Sequence, residues 1–231
     1  MSGRAPGQGR LSPAASPRVL VSGPIIPPGN VPAARDNARL APAADPVQWA
    51  YVPGGDLPAG EWHRAQTVSG LWWSDTVLSA GHLPITGLPL AEATVLAAAL
   101  GGRIPTSAEW EWMASAGRRR FPWGEHEPTP AHANLRDLGP GHPVHVRQLP
   151  AGRTPQGLWG VAGNVWEWTL APGRRDGIAL LRGGSYNSLP QYVSCAHAND
   201  VLPTLVSPGI GIRIVRDTRP PSASDRMEGC L

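Results

Sequence analysis

Glycine and proline punctuate this chain so often that no long helix has room to form: 28 Gly and 27 Pro stand among 231 residues. Both interrupt helices, which argues against a bundle or a coiled coil. Composition at this level borders on low-complexity sequence, yet ten tryptophans stand beside three Tyr and one Phe. Each indole carries a large apolar surface that gains by burial, so general disorder does not fit either. The combination predicts a loop-rich globular unit with loose flanks.

The boundaries follow from the distribution. Residues 1–45 hold mostly Pro, Ala, Gly, Ser and Arg without a period of 2 or 3.6, and read as a disordered arm. Residues 218–231, with Pro220-Pro221 and Ser222-Ala223-Ser224, read as a flexible tail. Residues 46–217 remain for one folded domain, an ordinary size. All 20 basic residues are arginine, which excludes Schiff-base chemistry on lysine. The formal charge of +3 resides in the arm, where Arg4, Arg10, Arg18, Arg35 and Arg39 face Asp36 and Asp45. A neutral domain has no summed excess with which to grip phosphates, so no nucleic-acid partner is expected. Two cysteines, Cys195 and Cys230, cannot build a disulfide framework. The Val19-Leu20-Val21 run meets Ser22, Gly23 and Pro24 too soon for a signal peptide, and no stretch approaches the roughly 18 apolar residues of a membrane span. A cytoplasmic protein with no membrane partner is the expectation.

Within the domain, Trp49–Val52 reads as a strand closed into a hairpin by Pro53-Gly54-Gly55. Leu90 to Leu100 reads as an amphipathic helix with Glu92 in its first turn and Gly101-Gly102 beyond its end. A second helix opens on a capping box, Thr106-Ser107-Ala108-Glu109, and stops at Gly117. Trp110, Met113 and Ala114 share its core face, with Glu111 and Trp112 expected to point elsewhere. Short extended pieces follow at 143–146, 165–169, 178–182 and 210–216. Two early helices and several short, later strands joined by long loops make an α+β fold.

Several motifs then occur in one order: Val52 to Gly55, Arg103-Ile104-Pro105-Thr106-Ser107-Ala108-Glu109-Trp110-Glu111 and Phe121-Pro122-Trp123-Gly124. They continue with Gly163-Asn164-Val165-Trp166-Glu167-Trp168, Leu181-Arg182-Gly183-Gly184-Ser185-Tyr186 and Gly211-Ile212-Arg213-Ile214-Val215. Over roughly residues 48–216 the set resembles the formylglycine-generating enzyme, or sulfatase-modifying factor, family. The resemblance implies an irregular C-type-lectin-like fold. It also implies one of several chemistries: oxidation of a sulfatase cysteine by a thiol pair and copper, ergothioneine sulfoxide synthesis with non-haem iron, or siderophore chromophore maturation. Fold alone does not choose among them.

The thiol positions implied by the resemblance are empty of thiols. Ser188 stands at the first cysteine position, and the second falls within Gln191 to Val193. Cys195 matches a later, non-catalytic position, and the Arg often found shortly after it is Ala198 here. Cu(I) needs soft thiolates, which the hard Ser188 hydroxyl cannot replace, so copper oxidation is expected to be absent. The alternative is that Cys195 or Cys230 enters the pocket, against the ordinary fate of a lone buried Cys as a small apolar residue. An iron site needs converging imidazoles or carboxylates. The closest spacing is His142-x-x-His145, with His126, His132, Glu125 and Glu127 upstream, but on an extended segment i and i+3 face apart. The iron-binding histidines of the sulfoxide synthases come largely from an additional N-terminal helical domain, for which residues 1–45 are too short and proline-rich.

The resemblance also implies structural calcium at Gly163, Val165 and Glu167, and at a second loop beginning with Asn134 and Leu135. Gly160 removes one side-chain ligand from the first, and the acidic stretch of the second is contracted. The competing role for Glu167 is to accept N–H bonds inside the fold. Trp110, Trp123, Trp166 and Trp168 read as core; Trp72-Trp73 could form a contact surface, and Arg118-Arg119-Arg120 a solvated turn. Three function classes follow. The first is a diverged domain that modifies a peptide, carrier-bound or small-molecule substrate as partner or unorthodox catalyst. The second is a metal-dependent oxidative enzyme of natural-product tailoring, and the third a recognition module.

Overall fold

The structure, a computed structural model, describes residues 43–171 and 177–221. Most of the expected arm, the end of the expected tail and Cys230 lie outside the described residues. Strand β1 (Trp49–Val52) runs antiparallel to β4 (Leu71–Ser74), with Trp49 opposite Ser74 and Val52 opposite Leu71. Between them β2 (Gly55–Leu57) pairs with β3 (Gln66–Val68). Pro53-Gly54-Gly55 therefore does not close a short hairpin; it bends one long one. Space is the reason: a Cβ on Gly54 would lie 2.4 Å from the Val68 carbonyl oxygen, and one on Gly70 would lie 2.2 Å from the Tyr51 hydroxyl. Side chains at the bend would force the two arms apart.

A small hairpin, β5 (Ser79–Ala80) and β6 (Leu83–Pro84), leads to helix α1 (Leu90–Ala99) and helix α2 (Ser107–Ser115). The two expected helices are present, and among the described residues short strands flank them on both sides rather than only following them. These strands are two to four residues long, too brief for a period-2 pattern to register. Helix α1 ends as predicted, with Gly101 at φ 78°, and buries Ala93, Leu96 and Ala97. In α2 the capping box is complete: the Glu109 N–H donates to Thr106 Oγ1 at 3.2 Å, and the Thr106 N–H donates to Glu109 Oε2 at 2.7 Å.

The second sheet is the centre of the molecule. Its order is β10 (Ile210–Gly211), β7 (Trp166–Thr169), β8 (Ala179–Arg182), β9 (Ala198–Val201), with β10 parallel to β7 and the other pairs antiparallel. The expected strand at 210–216 is two strands in two sheets, because β11 (Val215–Arg216) leaves β10 and joins the free edge of β4. Residues 143–145 form no strand. Alternate strand residues face opposite ways. Trp166, Trp168 and Leu181 accordingly enter a core cluster with Ala93, Leu96 and Ala97 of α1, while Glu167 and Arg182 turn toward α2. A second cluster joins Val52, Trp73, Trp110, Met113, Leu158, Cys195 and Val215. Trp110, Trp166 and Trp168 are core, as expected, and Trp123 packs partly buried against a third cluster. Trp72-Trp73 is not an exposed pair: Trp73 is buried, and half-buried Trp72 leans on Tyr51 across the sheet. Among the described residues no helix is long and apolar enough to cross a membrane.

Candidate functional site

Ser188 is placed by a tight double-glycine turn at the end of β8. Gly183 and Gly184 take φ 88° and 77°, and a Cβ on either would collide, with the Val161 carbonyl oxygen or with Val193. The turn folds Ser185 and Ser188 onto each other. The Ser185 N–H donates to Ser188 Oγ at 2.9 Å, the Ser188 N–H donates to the Ser185 carbonyl at 2.9 Å, and the Arg136 N–H donates to the Ser188 carbonyl at 3.0 Å. Both serines are buried. Ser188 thus closes a turn with hard oxygen, in a place without a thiolate.

Cys195 sits elsewhere, 1 % exposed in the cluster of Trp73, Trp110 and Met113. Burial pushes its thiol up to about 12, against a partial pull down from the charge of Arg119. A neutral buried thiol is neither nucleophile nor metal ligand.

Glu167 and Arg213 are both fully buried and paired. The Arg213 Nε–H and NH2 donate to Glu167 at 2.9 to 3.0 Å, and the Trp110 indole N–H donates to Glu167 Oε2 at 2.6 Å. Arg213 also donates to the carbonyls of Ser74 and Trp159. Beside this pair, Asn164 holds Val144 through both ends of its amide, and Asn134 donates to Asn164 Oδ1 and to the His142 carbonyl. Asn134 Oδ1 is buried and without a hydrogen bond. The Leu135 carbonyl accepts from the Leu138 N–H, and the Gly163 carbonyl from the Val165 N–H.

Sequence reasoning missed the second buried ion chain. Glu111, expected to point away from the core, is 8 % exposed: His63 Nε2 lies 3.0 Å and Arg182 NH2 2.9 Å from its Oε2. Arg182 completes its bonds on Ser107 Oγ and the carbonyls of Cys195 and His197, and burial lowers its affinity for its proton. No local signal marks Glu111, because its partners lie 48 and 71 residues away in sequence. A cavity of about 160 Å³ beside this chain is lined by Trp62, His63, Gln66, Ser107 and Leu180 among others.

The candidate histidines do not converge. His126 is exposed, His132 stacks on Trp123, and His142 turns to the Pro143 carbonyl. His145 stacks on His82 with centroids 4.8 Å apart. Among the described residues no group of three or more His, Cys, Asp or Glu is arranged to hold a metal ion. Two other polar side chains stand out, His197 just before β9 and Asn199 on it. His197 packs between Trp166 and Tyr192. Its Nε2 and the Asn199 Nδ2 are buried without hydrogen-bond partners. Burial and the charge of Arg182 lower the His197 pKa, which keeps the ring neutral at pH 7. Both unpaired groups lie inside the fold, with Asn199 7 % and the neighbouring Trp166 3 % exposed. No motif pointed to them.

Residues 47–218 match the sulfatase-modifying factor enzyme 1-like domain family. A hercynine oxygenase of Mycolicibacterium smegmatis is 37% identical over 131 residues, covering 50% of this chain and 30% of that protein. A formylglycine-generating enzyme of Streptomyces coelicolor is 31% identical over 219 residues, covering 81% of this chain and 66% of that protein. This chain therefore spans less than a third of the length of the first relative. In fold, it is similar to PvdO of Pseudomonas aeruginosa, with a TM-score of 0.61 at 16% identity, over 74% of this chain and 94% of PvdO.

Proposed function

Because this chain belongs to the sulfatase-modifying factor enzyme 1-like domain family, we propose that it serves the modification of a peptide or small molecule as a substrate-holding partner or unorthodox catalyst, and not as a thiol–copper formylglycine generator. The observation that carries this reading is the pairing of Ser188 with Ser185 where the resemblance puts the first reactive cysteine, with Cys195 sealed in the core. A hydroxyl committed to a turn supplies no soft ligand for Cu(I), and a thiol without access supplies none either. The test is direct. Purified chain loaded with Cu(I) under oxygen is offered a cysteine-containing sulfatase peptide; no aldehyde-bearing product is expected, and its formation would refute the reading.

A second reading, oxidative tailoring of a small molecule, is supported by the likeness to the hercynine oxygenase. In this reading the domain holds the substrate. Calorimetric titration of the intact chain with hercynine tests it: saturable binding is expected. Absence of binding would overturn this second reading.

A further inference from the structure

A structural calcium ion takes six to eight oxygen ligands, several of them anionic or side-chain carbonyls. At the loop that ends on Glu167, this chain offers far less. Both Glu167 oxygens already accept from the Arg213 guanidinium, and one also from Trp110. Gly160 brings no side chain, the Gly163 carbonyl is bonded to the Val165 N–H, and the Asn164 amide is turned to Val144. A dication here would sit beside a fully buried guanidinium with no solvent between them to screen the repulsion. At the other loop, Asn134 contributes one unbonded amide oxygen packed against Gly139, and Asp137, the only acid in 134–139, is exposed. One neutral oxygen does not make a calcium site.

Arg213 meanwhile reaches what a structural ion would reach. It bonds Glu167 in β7, the Ser74 carbonyl in β4 and the Trp159 carbonyl, while Glu167 draws in Trp110 of α2. Both sheets, the second helix and a long loop meet at one planar cation whose five N–H groups suit a fixed set of acceptors. We infer that Arg213 is the internal cation of this domain, holding together the pieces that calcium would otherwise bridge, so that the chain folds and keeps its stability without calcium.

The test uses the intact chain. Thermal unfolding is compared in a calcium chelator and in excess Ca²⁺. Terbium, which takes the same oxygen sites, is titrated while its luminescence is read through excitation of the nearby tryptophans. The expected midpoints coincide, and terbium gives no saturable signal. A one-to-one terbium signal displaced by Ca²⁺, with a midpoint rise of roughly 5–10 °C at a hundredfold excess over Kd, overturns the inference. Gly160→Asn separates the two obstacles. Gly160 has φ 57°, a conformation Asn tolerates, and the nearest atom to its would-be Cβ is the Val146 carbonyl oxygen at 3.7 Å. With Arg213 in place, this variant is also expected to give no terbium signal. A signal in Gly160→Asn alone would show that the missing ligand, and not the guanidinium, keeps the ion out, and would overturn the role given to Arg213.

Discussion

At Cys195 the surroundings of one sulfur atom decide what it can do. The thiol lies among Trp73, Trp110, Met113 and Leu158, where a thiolate would lose its water and gain only the partial help of Arg119. Alkylation under native conditions at neutral pH should therefore leave Cys195 unmodified and label it fully once the chain is unfolded; peptide mass mapping distinguishes it from Cys230. The linkage has a definite sign. The folded chain holds this proton more tightly than the unfolded one, so the thiol's contribution to stability is complete below the ordinary value of 9.0 and is lost as pH rises toward about 12. Denaturant midpoints for wild type and Cys195→Ala measured across that range should converge as alkali removes the wild type's advantage. Labelling of the native protein at pH 7 would mean that this thiol is reachable after all. The same scale explains why Glu111 was misjudged and Thr106 was not: a capping box is written in four consecutive residues, whereas the partners of Glu111, His63 and Arg182, come from distant segments.

Among the elements, α2 is the one whose ends matter most, because it delivers Trp110 to Glu167 and Glu111 to Arg182. Thr106→Ala removes the acceptor for the Glu109 N–H and should cost about 1 kcal/mol, a drop in melting temperature of about 2–4 °C for a domain of this size. Glu109 itself stays anchored, since it also receives both terminal nitrogens of Arg103 at 2.8 and 2.9 Å. An unchanged midpoint would show that Arg103 alone secures the helix start. Both helices were legible because their stop and start signals are local: Gly101 beyond α1, and Thr106 with Glu109 at α2. The long bent hairpin was not, because Pro-Gly-Gly announces a change of direction without saying whether the chain reverses or bends. What decides it is the contact of Gly54 with Val68 and of Gly70 with Tyr51, and neither is local.

Across the whole molecule, stability is concentrated around one sheet. All eight residues of β7 and β8 are buried, one face packed with α1 and the other held to α2 by Glu167 and Arg182. The motifs that carried the family resemblance, Gly163 to Trp168 and Leu181 to Tyr186, are the strands and turns of this centre, which is why the fold class could be read from them. The unpaired groups of His197 and Asn199 lie at its β9 edge, where no motif reaches. The ribbon of β2 and β3, by contrast, buries only Leu57 and Val68 and presents its other positions to solvent or half-bury them. Opening free energy follows buried apolar contact, so the two regions should separate under native-state hydrogen exchange. Amides of β7 and β8 should exchange only through global unfolding, with protection that falls steeply as urea is added. Those of β2 and β3 should exchange through local opening that urea barely changes. Equal urea dependence in both regions would mean that the ribbon and the central sheet open as one unit, and that the buried ion pairs bind the whole domain as tightly as they bind its centre.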